Sequence, residues 1–279
     1  MRMHGKNRET DKYIRSSKLK RAVCSLGVLI AVISFSGCGV KTAGEYYRDG
    51  MADFHSGDYE KAGENFQKAL EKKSDKAEYY MGYAMNLIQQ EKYEDAIAYF
   101  ERVIMKKDNV IVRKNNKLAY RGEGIAYYRS HDYITAIKKF DKSLAINELD
   151  SINMDILSYK GMAQSRLGQY KKAADTYTKM IESNRDSGDA YENRGNIYRR
   201  MGDVKKSLAD YENAIKLEPG NYDFYLSQYS LLLEQKDKKG AGEILSKAEA
   251  INGKTKRDRF SLAKVKYYKG DYETASQMF

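Results

Sequence analysis

Seven small residues recur along the chain at intervals of 34, 40, 37, 34, 34 and 34 residues. They are Ala62, Ala96, Ala136, Ala173, Ser207, Ala241 and Ala275. A period near 34 residues is typical of a supersecondary unit that is repeated and stacked. This repeat constrains the fold more than any other feature, because each unit must bury its apolar face against its neighbours in the same way.

Residues of fixed type surround each small position. In the fifth unit, Gly195 and Tyr198 precede the turn Gly202-Asp203, and Tyr211 follows it. Apolar residues three and four apart on both sides of the turn indicate two helices per unit. Small residues at fixed places allow those helices to approach closely. Pro219, the only proline in the chain, is expected to end the second helix of this unit.

These spacings resemble the tetratricopeptide-repeat (TPR) family, from about Tyr46 to the end of the chain. The resemblance implies an all-α fold, a right-handed α-solenoid of about seven TPR-like helical hairpins over residues 45–279. The last copy, which opens at Gly270-Asp271-Tyr272, is expected to be incomplete at Phe279. The resemblance also implies a non-enzymatic protein that binds partner proteins or peptides along a concave groove formed by the first helices.

Two of the intervals are longer than 34 residues. The six extra residues between Ala96 and Ala136 are predicted to extend the second helix of their unit through Val110–Asn116. Three extra residues near Glu148–Asn153 lengthen the next interval. In three units other residues, Glu91-Lys92, His131-Asp132 and Lys236-Asp237, replace the Gly-Asp turn.

The first 37 residues have the pattern of an export signal. Lys18, Lys20 and Arg21 precede an apolar run from Ala22 to Ser36, which is shorter than the ~20 residues that cross a bilayer. Phe35-Ser36-Gly37-Cys38 resembles a bacterial lipobox, in which cleavage precedes the cysteine and its thiol carries lipid. An uncleaved anchor is the alternative. Both interpretations place the repeats on the extracytoplasmic face of the cell membrane, because basic residues stay inside.

We therefore expect a lipoprotein signal peptide at 1–37, then the lipidated Cys38 and a short tether at 38–44. The formal charge of the whole chain is +11, and residues 1–37 contribute +6 of it, leaving +5 on the rest. The remaining charge is typical of a solvated surface rich in both signs. This balance, together with export, argues against a nucleic-acid partner.

No motif predicts catalysis or a cofactor. A metal site needs several converging ligands, and His4, His55 and His131 have no spacing typical of one. The segment Ala248–Thr255 matches a permissive phosphate-loop pattern, but a working loop follows a strand, and a helix is expected before this one. We expect no nucleotide, metal or other cofactor, and no enzyme activity.

The predicted groove changes character along the array. Its first two units offer the apolar residues Tyr47, Met51, Phe54, Met81, Met85 and Ile88. The next three offer Arg121, Arg129, Arg166, Arg199 and Arg200, with Ser158, Met162, Ser165 and Asn196 between them. Methionine suits varied apolar partners, and arginine suits carboxylate groups. The alternative is that these arginines are merely exposed or pair with Glu192, Asp189 or Asp155.

The function predicted from these features is a membrane-tethered scaffold for protein–protein interactions. Two related roles stay open: an assembly or piloting lipoprotein of an envelope machine, or a recruitment subunit for a cell-wall enzyme. A cytoplasmic scaffold would require that the apolar run fail as an export signal.

Overall fold

The computed structural model describes residues 41–73, 75–251, 253 and 255–278. The predicted signal peptide and Cys38 lie outside the described residues. The first six helices are α1 (Ala43–Ser56), α2 (Tyr59–Lys72), α3 (Ala77–Gln89), α4 (Tyr93–Glu101), α5 (Val110–Arg129) and α6 (Tyr133–Leu144). The next are α7 (Asn153–Arg166), α8 (Tyr170–Ser183), α9 (Gly188–Arg200) and α10 (Val204–Leu217). The last are α11 (Tyr222–Glu234), α12 (Lys238–Glu249), α13 (Lys256–Tyr268) and α14 (Tyr272–Met278).

These fourteen helices form an α-solenoid of seven antiparallel hairpins, α1/α2 through α13/α14, as the repeat predicts. We call the odd-numbered helices first helices and the even-numbered ones second helices. The array begins slightly before the expected residue 45, because the hydroxyl of Thr42 and the carboxylate of Glu45 form a capping box that starts α1 at Ala43. Among the described residues there is no β-strand.

One contact repeats inside most hairpins. A glycine of the first helix lies against an aromatic ring of the second helix, so that a β-carbon built on Gly124 would lie 2.5 Å from the ring of Phe140. The same contact joins Gly50 to Phe66, Gly161 to Tyr177 and Gly195 to Tyr211. The seven small residues that define the period are each at most 1% exposed. The predicted reason for their size, close approach of two helices, is therefore confirmed.

A residue with positive φ ends the turn of every hairpin. Glycine occupies this position at Gly57, Gly168, Gly202 and Gly270, and other residues do so at Glu91, His131 and Lys236. Aspartate commonly follows, and its carboxylate accepts a hydrogen bond from a backbone N–H of the first turn of the second helix, as Asp203 does from Lys206 at 3.1 Å. The units without glycine therefore keep the same turn geometry.

The prediction for the longest interval was wrong. Val110–Asn116 does not extend the second helix α4, which is only nine residues long and ends at Glu101. These residues instead form the start of α5, a first helix of 20 residues. Asn109 begins α5 because its side-chain oxygen accepts a hydrogen bond from the backbone N–H of Val112 at 2.9 Å. In the following interval, the extra residues form a 3₁₀ turn, Asp150–Ile152.

Two ion pairs link first and second helices at the same register with opposite polarity. Glu123 of α5 lies 2.9 Å from Nζ of Lys139, whereas Arg194 of α9 lies 2.7 Å from Asp210. Glu123 is fully buried, and burial raises the pKa of its carboxyl group, although the Lys139 ammonium opposes this effect.

Helix boundaries elsewhere agree with the sequence. Pro219 follows the end of α10 at Leu217 by two residues. Helix α12 ends at Glu249, so a helix and not a strand precedes the phosphate-loop-like segment. Within the described ranges, no helix combines the length and apolar character needed to cross a membrane.

Replacing Gly161 by alanine is expected to lower the free energy of unfolding by about 1–3 kcal/mol, because the new β-carbon would lie 2.6 Å from the ring of Tyr177. The matched control is Gly242→Ala in α12, where nothing lies within 4 Å of the new β-carbon. That variant should gain up to about 1 kcal/mol from helix propensity. Urea titrations of both variants test this, and equal effects would contradict the proposed close contact.

The stability contributed by Glu123 should depend on pH. Its pKa is raised in the folded state, so folding takes up a proton and the free energy of unfolding falls as pH rises above the ordinary glutamate range. The Glu123→Gln variant stays neutral and should gain stability relative to the parent chain between about pH 4 and pH 7. Urea titrations across this range measure the difference. The exposed control Glu212→Gln should show no such trend.

Candidate functional site

Most successive first helices contact one another along one face of the array. Helix α1 packs against α3, α3 against α5, and α5 against α7; farther along, α9 packs against α11 and α11 against α13. We call this surface the first-helix face. The residues that the repeat predicts to line a groove all come from these helices.

A cavity of about 250 Å³ opens on this face between α1, α3 and α5. Its lining comprises Tyr47, Met51, Phe54, Glu78, Met81, Gly82, Met85, Phe100, Leu118 and Arg121. Five of the six apolar residues predicted for this part of the groove lie here. The sixth, Ile88, is 3% exposed and belongs to the core, where it packs with buried residues of neighbouring helices.

The cavity is apolar and has a polar rim. Tyr47 is half-buried and its ring contacts those of Phe66 and Tyr79, with centroids 5.7 and 5.0 Å away. Burial raises the pKa of the Tyr47 hydroxyl, which therefore stays neutral. The volume is below the ~300–1,000 Å³ of pockets that enclose whole small molecules. The cavity is instead suited to one or two apolar side chains of a larger partner.

The sequence interpretation missed Glu78 and Leu118 at the rim. Both lie six residues before the small residue of their own first helix, Ala84 or Gly124. Arg121 was predicted to face the groove and also lines the cavity, but its Nε donates a hydrogen bond of 2.5 Å to Asp155 of α7. The alternative of pairing with Asp155 therefore applies to this arginine.

Three arginines occupy equivalent positions on consecutive first helices. Arg129, Arg166 and Arg200 each lie five residues after the glycine that contacts the second helix. All three side chains are exposed, and none forms an ion pair with the part of the chain that the structure describes. We call these three residues the arginine row. Helices α5 and α7 pack against each other and place Arg129 and Arg166 on the order of 10 Å apart.

The remaining predicted residues of α7 and α9 are less available. Arg199 donates from Nε to Glu234 of α11 at 2.9 Å, and this pairing holds the pKa of the Glu234 carboxyl below its usual range. Asn196 is partly buried and accepts a hydrogen bond from the Tyr211 hydroxyl at 2.7 Å. Met162, on α7, is also partly buried.

One alternative was that Glu192 pairs with an arginine, but it forms no such ion pair within the described part of the chain. It accepts a hydrogen bond of 2.6 Å from the Ser227 hydroxyl of α11. Burial raises the pKa of its carboxyl group, and the Ser227 hydrogen bond partly offsets this effect. Arg121, Arg199 and Glu192 are thus hydrogen-bonded to residues of the next first helix. Of the arginines predicted to line the groove, those of the arginine row are the ones that form no ion pair with the described residues.

Two further surfaces have no counterpart in the predicted site. An open cavity of about 320 Å³ lies where α10 meets α11 and α13, with the acidic residues Glu218, Asp223 and Asp258 in its wall. Farther along, Phe260 and Tyr267 of α13 are 49% and 53% exposed. No group of three or more potential metal ligands occurs within the described residues.

Solved structures share this architecture. A tetratricopeptide-repeat protein from Parabacteroides merdae matches with a TM-score of 0.59 and 16% identity, over 85% of this chain and 90% of that chain. MamA from Desulfovibrio magneticus matches with a TM-score of 0.51 and 22% identity, over 62% of this chain and 93% of that chain. YrrB, described as a TPR protein with an unusual peptide-binding site, matches with a TM-score of 0.50 and 20% identity, over 76% of this chain and 96% of that chain. At these identities the likeness shows the fold alone.

Family comparison agrees with the geometry of the hairpins. Three family models, each described as a tetratricopeptide repeat, match residues 53–112, 155–187 and 188–221. The matched residues include the small positions Ala62, Ala96, Ala173 and Ser207, which the structure buries between helices. Residues 53–112 and 155–221 therefore consist of tetratricopeptide repeats.

Proposed function

We propose that this protein is a non-enzymatic scaffold that holds a segment of a partner protein on its first-helix face. The observation that carries the proposal is the apolar cavity between α1, α3 and α5, followed along the same face by the arginine row. Such a surface offers a pocket for apolar side chains and separate cations for carboxylates. YrrB, a TPR protein of similar fold with an unusual peptide-binding site, supports the same mode of action.

The spacing of the arginine row defines the partner segment more closely. Cations on the order of 10 Å apart match carboxylates three residues apart in a polyproline II segment, where residues i and i+3 share one face and lie about 9 Å apart. The partner segment would place one or two bulky apolar residues in the cavity and acidic residues at about every third position beyond it. Flexible Met51, Met81 and Met85 allow more than one apolar side chain to be accommodated.

The proposed location is the extracytoplasmic face of the cell membrane, reached through lipid on Cys38. The support is the sequence alone: a basic segment, an apolar run and the lipobox-like Phe35–Cys38. Four residues separate Cys38 from the start of α1 at Ala43. An extended chain of this length reaches only about 14–18 Å, so the first hairpin would lie next to the membrane surface.

Reversing the charge of the arginine row should weaken binding of an acidic peptide. The probe is a fluorescent peptide with a Leu-Phe end followed by three glutamates, each separated by two alanines. The triple variant Arg129→Glu, Arg166→Glu, Arg200→Glu should bind it on the order of ten-fold more weakly than the parent chain, and with less salt dependence. Fluorescence anisotropy at two salt concentrations measures both effects.

The matched control reverses the same number of charges on the second helices of the same three repeats. Lys138, Lys172 and Lys205 are exposed there, and their replacement by glutamate should leave affinity within about two-fold. A probe with serine in place of the Leu-Phe end should lose affinity for every variant. Equal losses in the two triple variants would refute the assignment of the site to the first-helix face.

Lipid attachment at Cys38 has its own test. Cells fed a radiolabelled fatty acid should incorporate the label into the parent chain and not into the Cys38→Ser variant. Globomycin, which inhibits cleavage before a lipidated cysteine, should lead to accumulation of a longer labelled form. A parent chain without label would disprove the lipid anchor while leaving the groove proposal intact.

A further inference from the structure

Helix α5 extends beyond the other first helices at its N-terminal end. Gly50 is the eighth residue of α1 and Gly195 the eighth of α9, whereas Gly124 is the fifteenth residue of α5. These glycines make equivalent contacts with their second helices, so the seven additional residues lie at the N-terminal end. At 1.5 Å per residue, α5 extends about 10 Å farther than its neighbours.

This extension has an exposed apolar surface. Met105, Val110 and Ile111 are 51%, 46% and 71% exposed, although they lie within seven positions of one another. We call residues 105–111 the α5 tip. Large apolar side chains this close together and this exposed are characteristic of contact surfaces.

Side-chain hydrogen bonds hold the tip against α5. The amide of Asn116 accepts from the backbone N–H of Met105 at 3.0 Å and donates to its carbonyl oxygen at 2.7 Å. Arg113 donates to Asp108 at 2.5 Å and to Glu148 at 2.9 Å. The exposed side chains are therefore presented in a defined arrangement.

The charge around the tip is positive. Residues 73–76 and 102–109, the connections between the first three hairpins, carry Lys73, Lys76, Arg102, Lys106 and Lys107 against Asp75 and Asp108. The next three connections, 145–152, 184–187 and 218–221, carry Arg185 against Glu148, Asp150, Asp186 and Glu218. The first two connections together are thus basic, whereas the next three together are acidic.

The N-terminus of α1 lies on this same edge. Antiparallel hairpins place the starts of all first helices together, and near the start of α1 a β-carbon on Gly44 would lie 3.7 Å from the Tyr79 hydroxyl of α3. The tether that follows Cys38 therefore enters the array on the edge that carries the α5 tip, two hairpins away. A membrane at the end of that tether would face the basic, apolar part of the edge.

We propose that the α5 tip docks on an anionic membrane surface, with Met105, Val110 and Ile111 at the level of the acyl chains and Lys106 and Lys107 among the headgroups. This inference rests on the proposed lipid anchor and adds a second point of attachment. Apolar insertion combined with basic residues is the known physical basis of binding at the membrane interface. Two points of attachment fix the orientation of the array, so that the first helices stand away from the bilayer and the first-helix face opens to the side.

The experiment uses the full lipidated chain reconstituted into vesicles of phosphatidylglycerol and phosphatidylcholine. The photocrosslinking residue p-benzoylphenylalanine replaces Ile111 in one variant and Ile134 in the other. Ile134 is 57% exposed and lies at the start of α6, on the opposite edge of the array, so it is a matched control. Lipid adducts, identified by mass spectrometry, should be at least five-fold more abundant at position 111 than at position 134.

A second arm tests the role of charge. With the crosslinker at position 111, vesicles of phosphatidylcholine alone, or the substitutions Lys106→Glu and Lys107→Glu, should each reduce lipid adducts several-fold while the chain still floats with the vesicles. Equal lipid adducts at both positions, or adducts only between protein chains at position 111, would overturn the docking proposal and leave the anchor in place. A chain that does not float with the vesicles would overturn the anchor and the docking together.

Discussion

The contact between a glycine of the first helix and an aromatic ring of the second helix determines most of this structure. With no β-carbon on Gly50, Gly124, Gly161 or Gly195, the ring of the second helix lies directly against the first helix backbone. Close packing of this kind tolerates little change in volume. It aligns the two helices of a hairpin in one register, and that alignment sets which residues of each first helix lie inward, face the groove or extend past the edge.

The sequence predicted the fold well because the repeat is a local signal. Small residues, aromatic residues and turns recur at offsets within one unit, and each unit repeats the packing of the last. The insertion before α5 was misplaced because a length difference between two small residues does not say which helix contains the extra residues. The extra residues lie in α5 because the backbone N–H of Val112 donates a capping hydrogen bond to the Asn109 side chain, which starts the helix there. The distance between two small residues in the sequence does not reveal this cap.

The candidate site was predictable in part. Register placed Tyr47, Met51 and Met85 at the cavity, because apolar positions on a first helix follow directly from the glycine contact. The pairing of Arg199 with Glu234 could not be predicted, since it joins residues 35 positions apart and depends on how neighbouring hairpins are inclined. Of the five arginines predicted to line the groove, only the three of the arginine row are exposed and without an ion pair among the described residues. The set of arginines that could bind a partner is therefore smaller than predicted.

The ion pairs inside the hairpins affect which first helix packs on which second helix during folding. Glu123 faces Lys139 in the third hairpin, and Arg194 faces Asp210 in the fifth, at the same place in the unit. If α5 packed on α10 by mistake during folding, Glu123 would meet Asp210. If α9 packed on α6, Arg194 would meet Lys139. Like charges buried side by side are costly, so the opposite polarity of the two pairs disfavours exchange of helices between these two hairpins of otherwise nearly equivalent shape.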